Sequence, residues 1–352
     1  MRLLVLCLVV ACSSSAPRAA TRDDAPIAGF EAHADSRHWF AGDMHMHVAP
    51  PDDPNDVDLS ITEIATRAAR AGMDFVVLTP HLWPWRWNSD GPAFRTGWQK
   101  LEHTCATIDK PTMIPGAEWT TRDGHFTVAG ANLAALKGSD FLAAADAAGA
   151  WISVNHPFAL PTKIPGVRAS HFDMSYRVWT EHKPGFTAIA GAEVWNVPLG
   201  IANIISRPGG KTAEEQTWGE MDRVVHEEHR RITAVAGTDN HHENVMATTW
   251  VYAVDATAGA ILAALRDGAT VIGGPEAGTL RARGDRGDWV AIGGDIHGDV
   301  AELAWHGTAR VFVDNVDQGE HTDHFTHVTG GDLHTYRIEL GASRSGFIYS
   351  NL

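Results

Sequence analysis

Between residues 43 and 273, short apolar runs alternate with amphipathic segments, and this alternation narrows the folds open to the chain more than any other feature. "DFVVLTP", "TMIPGAEW", "HFTVAG", "AWISVNHP", "FTAIAGAEVWN", "ITAVAGTDN" and "TWVYAVD" have the length and apolar content of buried strands. Helices are predicted between them near residues 60–72, 139–148, 213–230 and 257–267. In the first, Ser60 and Glu63 have capping-box spacing, Ile61, Ile64, Ala65, Ala68 and Ala69 share one face, and Gly72 is a natural stop. Thr212 and Glu215 repeat the box on the longest helix. Strand–helix alternation of this kind predicts an α/β fold. After Gly273 the helical period stops, and Gly-spaced segments such as "ARVFVDNV" and "TYRIELG" predict a small β-rich appendage.

The polar residues fall at particular places on this frame. His45 and His47, His81, Glu118, His156, Glu193, and Asp239 with His241 each lie at the C-terminal end of a predicted strand. In a (β/α) barrel those ends converge on one face, where active sites are built. His45 and His47 are two apart on a strand, so they point the same way, and Asp239 and His241 repeat the spacing. His125 heads the strand after Glu118, and Pro157 forces the chain out of the sheet behind His156. Each of these features is weak singly; their order and placement together point to a metal site. "HEEH", His226 to His229, lacks the HExxH spacing and reads as a solvated helix face. His321, His324 and His327 in "HTDHFTH" fall in the appendage and stay outside the site.

Charge and cysteine content narrow the chemistry. A formal net charge of -15 argues against a nucleic-acid partner, which needs a basic face. "MRLLVLCLVVAC" is too short to span a bilayer well and resembles a lipoprotein signal, with Val9-Val10-Ala11-Cys12 as lipobox and Cys12 as the lipidated residue. Ser13 then favours the outer membrane, so the expectation is an exported outer-membrane lipoprotein facing the periplasm or the cell surface, held at the membrane by its N-terminal lipid alone. Residues 13–29 read as a flexible tether. Beyond Cys12 only Cys105 remains, so any metal would sit among His, Asp and Glu.

In order along the chain, "GDMHMH", "TPH", "PGAEWT", "GHFTVAG", "NHP", "EVWN" and "GTDNH" resemble the motifs of the PHP (polymerase and histidinol phosphatase) superfamily, in particular its carbaryl hydrolase branch. The resemblance covers roughly residues 40–273. It implies a distorted (β/α)7 TIM-like barrel over residues 30–273, followed by the β-rich segment at 274–352. It also implies two or three divalent ions of Zn, Mn or Fe. Carried over by motif, His45, His47, Glu118 and Asp239 would hold a first ion, and Glu118 would bridge to a second held by His125 and His156. His81 and His241 would belong to a third, completed by an acid after the HxH: Asp53 fits best by spacing, with Asp52 and Asp56 as rivals. The family's "SDG" is replaced here by "PPDDPND" and the Asp of its "TDH" by Pro80, which leaves two ions or three open.

The resemblance implies a metal-dependent hydrolase that cleaves a small-molecule ester through a metal-bridged hydroxide. Glu193 is a further ligand or proton shuttle, or a structural hydrogen-bonding group, and Asp43 can orient a ligand histidine. Trp83, Trp85 and Trp87, with Arg86, can wall a pocket for an aromatic leaving group and steady an anion, or form a packed lid. The strand-end loops offer as cations only Arg86, Arg95 and Arg122, which balances phosphoester against carboxyl or carbamate ester cleavage. The alternative is a non-catalytic envelope lipoprotein that binds metal with its coordination filled.

Overall fold

The computed structural model describes residues 36–89, 91–121, 124–136, 140–158, 188–196, 211–242, 245–285 and 287–352. The signal and tether expected over residues 1–29, and the expected start of folding near residue 30, lie outside them. From the N-terminal side, β1 (His38–Met46) leads through α1 (Ile61–Arg70) to β2 (Phe75–Leu78) and the short β3 (His81–Leu82). Then come α2 (Pro84–Ser89), α3 (Gly91–Ala106), β4 (Thr112–Thr121), β5 (Gly124–Ala129), α4 (Phe141–Ala147) and β6 (Trp151–Val154). After these follow β7 (Gly191–Asn196), α5 (Ala213–Glu228), β8 (Thr233–Gly237), β9 (Thr249–Ala253), α6 (Ala258–Arg266) and β10 (Thr270–Ile272). The sequence reading missed α2 and α3, because Trp83, Trp85 and Trp87 recur at a period of two while a Gly and a Pro interrupt the helical pattern.

Local signals place α1 closely. Ser60 Oγ accepts from Glu63 N and Glu63 Oε2 accepts from Ser60 N, which satisfies two otherwise orphaned donors. At the other end Gly72, at φ 73°, donates to Ala69 O while Met73 donates to Ala68 O, the paired bonds of a Schellman cap. Ile64, Ala65 and Ala68 are buried, but Ala69 is exposed, so the apolar stripe is narrower than expected. α5 carries the second capping box, Thr212 with Glu215, and buries Trp218, Met221, Val224 and Val225. Truncating a buried Trp such as Trp218 to Ala costs about 3–5 kcal/mol.

The central sheet is mixed. β1, β2 and β4 pair in parallel, as do β6, β7 and β8, and β3 continues the line of β2 alongside β4. β5 is antiparallel to both β4 and β6. Thr121 pairs with Gly124, so no crossover helix fits between β4 and β5 and that step departs from a (β/α) repeat. The arc also does not close as a barrel ladder. β9 runs antiparallel along β1 from His38 to Gly42 and takes the edge that β8 would need. Only the end of β1 reaches the β8 side, through an isolated bridge between Met46 and Asn240 and the bonds Asp239 N to His45 O and His47 N to Asn240 O.

β11 (Arg281–Gly284), β12 (Val290–Ala291), β13 (Asp295–Ile296), β14 (Val300–Val313), β15 (Val316–Val328), β16 (His334–Leu340), β17 (Ser343–Ser345) and β18 (Ile348–Ser350) form the expected β-rich segment. It pairs with the preceding part directly, β17 lying antiparallel to β10. Ser36–Leu352 forms one compact unit. The reading of "HEEH" as a solvated face holds for His229, which is exposed, but not for His226, whose Nε2 lies 3.1 Å from Asp314 Oδ1.

Candidate metal centre

Glu118, buried on β4, is the hub of the site. Its Oε1 lies 3.2 Å from His45 Nε2, 3.0 Å from His125 Nδ1 and 3.2 Å from His156 Nε2. Its Oε2 lies 2.9 Å from His81 Nδ1 and 3.8 Å from His47 Nε2. Asp239 Oδ1 stands 3.4 Å from His45 Nε2 and 3.3 Å from His47 Nε2. His241 completes the group, its ring stacked on that of His47 with centroids 4.0 Å apart and its Nε2 3.5 Å from His81 Nε2. The strand ends do converge: parallel registry sets His81 opposite Glu118, and the Met46–Asn240 bridge brings β1 to the chain after β8.

These side chains fit a multinuclear divalent-metal site. Three sets offer ligand atoms within 4.8 Å of one another: His45, His47 and Asp239; His45, Glu118 and His156; and His47, His81 and His241. One carboxylate cannot serve five imidazoles by hydrogen bonding alone. His45 Nε2, His47 Nε2 and His125 Nδ1 are buried without a hydrogen-bond partner; they stand within ion-pair distance of carboxylates but are misaligned for a hydrogen bond. A buried nitrogen left so is costly unless it meets an ion. The outer nitrogens explain the aim: His45 Nδ1 faces Glu193 Oε1 at 3.3 Å and His47 Nδ1 faces Asp52 Oδ2 at 3.0 Å, while His241 Nδ1 faces Asp239 O at 3.2 Å. With the proton held on Nδ1, each Nε2 turns a lone pair inward, the arrangement that ligating histidines adopt.

The electrostatics agree. Burial alone would raise the Glu118 carboxyl, but the imidazoles packed around it, those of His125 and His45 foremost, hold it well below the usual carboxylate range. Burial would also lower His45 and His47, yet the neighbouring carboxylates, Asp239 foremost, push His45 well above its ordinary value and His47 up to about 9. The pocket therefore draws positive charge, which protons supply when no cation does. His125 and His241, where burial dominates, fall to about 4 and stay neutral, ready to donate a lone pair.

An outer set of groups fixes this inner one, and much of it was not legible as such. Asp52 spends both oxygens, Oδ2 on His47 Nδ1 and Oδ1 on His81 N at 2.8 Å. Glu193 likewise faces His45 Nδ1, accepts from His156 N at 2.6 Å and accepts from Asn196 Nδ2 at 3.2 Å, so it positions histidines. Asn155 donates to Glu118 Oε1 at 3.0 Å and accepts from Thr127 N. Thr120 Oγ1 lies 3.0 Å from His81 Nδ1. Asn155 and Asn196 stand inside the motifs "NHP" and "EVWN", which was the only signal available for them. Asp43 accepts from Thr238 N and Oγ1, tying β1 to the chain after β8, and from His45 N at 3.0 Å, so it meets that histidine at its backbone and not at its ring. His156 and Asp239 both sit at positive φ, 32° and 50°, a conformation non-glycine residues adopt at a cost when surrounding bonds impose it.

Some expected residues lie elsewhere. Asp53 is exposed and bonds Asn55, so of the three candidate acids the loop turns Asp52 inward instead. The third triad thus consists of histidines, with Asp52 behind one of them. Arg86 lies on α2 and is partly exposed. Arg95 is exposed on α3, and Arg122 falls outside the described residues. The tryptophans divide: Trp83 lies 5.4 Å from the His81 ring and 6.4 Å from His125, Trp85 stacks on Trp83 at 4.7 Å, and Trp87 packs against Phe141 at 4.9 Å. The first two flank the site; the third belongs to the core.

No protein-family profile matches the chain, and no curated protein matches it. Among solved structures it is similar to a two-domain protein from Bacteroides vulgatus containing a predicted PHP-like metal-dependent phosphoesterase, at 15% identity over 88% of this chain and 92% of that one, with a TM-score of 0.45. It is also similar to PsfC from Pseudomonas syringae, at 13% identity over 61% of this chain and 82% of that one, with a TM-score of 0.38.

Proposed function

We propose that the chain is a metal-dependent hydrolase of the PHP type that cleaves a small-molecule ester. The observation that carries this reading is the burial of Glu118 among the imidazoles of His45, His47, His81, His125 and His156, three of whose inward nitrogens lack any hydrogen bond. His45, His47, Glu118 and Asp239 would hold one ion, Glu118, His125 and His156 another, and His47, His81 and His241 a third. Borderline ions such as Zn, Mn or Fe suit this donor set and, when bound, supply Lewis acidity and an activated water.

The chain's own residues do the positioning. Glu193 and Asp52 hold His45 and His47 in one tautomer, and Asn155 fixes the angle of Glu118. Trp83 and Trp85 give one side of the site a flat apolar wall, which suits an ester with an aromatic leaving group and excludes water from that side. The few cations that the sequence offers at the strand-end loops leave phosphoester and carboxyl or carbamate ester cleavage balanced. The N-terminal lipid anchor would place this hydrolase at the periplasmic face of the outer membrane.

Metal-loaded full-length chain assayed in parallel on nitrophenyl phosphate, bis-nitrophenyl phosphate, naphthyl acetate and a naphthyl carbamate tests the reading. Turnover of at least one, lost in His47→Ala, is expected. A fully loaded protein inert on all four favours the non-catalytic metal-binding reading instead.

A further inference from the structure

Away from the centre, Asp222, His226 and Asp314 are the other group of described residues whose ligand atoms converge within 4.8 Å. Asp222 and His226 stand four apart on α5, which puts them on one face of the helix. Asp314 comes from the turn between β14 and β15, where it and Asn315 take φ of 49° and 56°, the left-handed pair of a tight two-residue hairpin. That turn aims the Asp314 carboxylate at α5, with Oδ1 3.1 Å from His226 Nε2; the same nitrogen is 3.7 Å from Asp222 Oδ1.

We propose that Asp222, His226 and Asp314 form a separate site for a divalent transition-metal ion of the Zn2+ class, which clamps the β14–β15 turn onto α5. Two carboxylates approach a single imidazole nitrogen, which carries at most one proton and can donate to only one of them. A cation between the three would answer both acids at once. One imidazole with two carboxylates suits Zn2+ and its neighbours, and the partial exposure of all three residues leaves room for water to complete the coordination. The carboxylates are already held: His334 Nδ1 lies 2.6 Å from Asp314 Oδ2, and Thr335 Oγ1 donates to Asp222 Oδ1 at 2.5 Å. Such outer bonds orient ligating groups. The ion would have no catalytic task; it would join the helix-rich part of the chain to the β-rich segment.

The test counts zinc on the full-length chain at a buffered free Zn2+ concentration, by elemental analysis, in the wild type, His226→Ala and Asp222→Asn. Each variant is expected to lose one equivalent relative to the wild type while keeping the ions of the Glu118 centre. Equal counts in wild type and a folded variant overturn the proposal. Should neither variant fold, Zn2+ titrated into wild-type protein whose Glu118 centre is already filled decides it: a further equivalent is expected, and its absence refutes the site. Glu118→Gln separates the two readings, because loss of the central ions there leaves the His226-dependent equivalent in place.

Discussion

Gly237 packs so tightly against His45 that a Cβ added at position 237 would stand 2.2 Å from the His45 Cβ and 2.7 Å from Glu193 Oε1. The glycine at the end of β8 therefore lets His45 and Glu193 share one space. Gly237→Ala is expected to destabilise the fold by about 1–3 kcal/mol through overpacking. It is also expected to lower metal content by displacing His45. Thermal unfolding and elemental analysis of the variant check both.

Asp52 and Asp53 are adjacent acids with different surroundings, one spent on His47 and His81 and the other exposed on Asn55. Asp52→Asn should weaken metal affinity by about 10–100-fold, the usual effect of removing an orienting partner. Asp53→Asn should leave affinity unchanged. Chelator competition measures both, and the reverse order would contradict the placement of this loop.

That pair also shows how far the sequence could be read. His45, His47, His81, Glu118, His125, His156, Asp239 and His241 were legible because strand ends converge and the period of a strand tells which side chains face together. Asp52 was not: between the HxH and α1 the chain has no repeating geometry, so spacing alone cannot say which of two neighbouring acids turns inward. The open arc was illegible for another reason. Whether β1 pairs with β8 or β9 is a contest for one edge between strands some 200 residues apart in sequence from β1, and no local pattern records its outcome. The Trp segment carries no helical period, so nothing in its pattern marks α2.

Trp85, exposed and stacked on Trp83, can be removed without opening the core. Trp85→Ala is expected to raise KM for aryl esters severalfold, on the order of the 0.5–1.5 kcal/mol of an aromatic pair, with little change for acetate esters of simple alcohols. Steady-state kinetics on matched aryl and alkyl substrates make the comparison.

Burial pushes the Cys105 thiol up to about 12. Its unfolded pKa is about 8.5, so between these values the unfolded chain loses a proton that the folded chain keeps. The contribution is fully present below about pH 8.5 and is lost as pH rises, at up to about 1.4 kcal/mol per pH unit. Denaturant unfolding of wild type and Cys105→Ala across that range should show a shallower alkaline decline in the variant, and the native thiol should resist alkylation until the chain unfolds.

Everything proposed for the site turns on Glu118 as the hub around which divalent ions gather. The most direct measurement is the divalent-metal content of purified full-length protein beside Glu118→Gln, after equilibration with the same metal buffer. The wild type is expected to carry at least two ions more than the variant. Equal content in the two, with both folded, would contradict it.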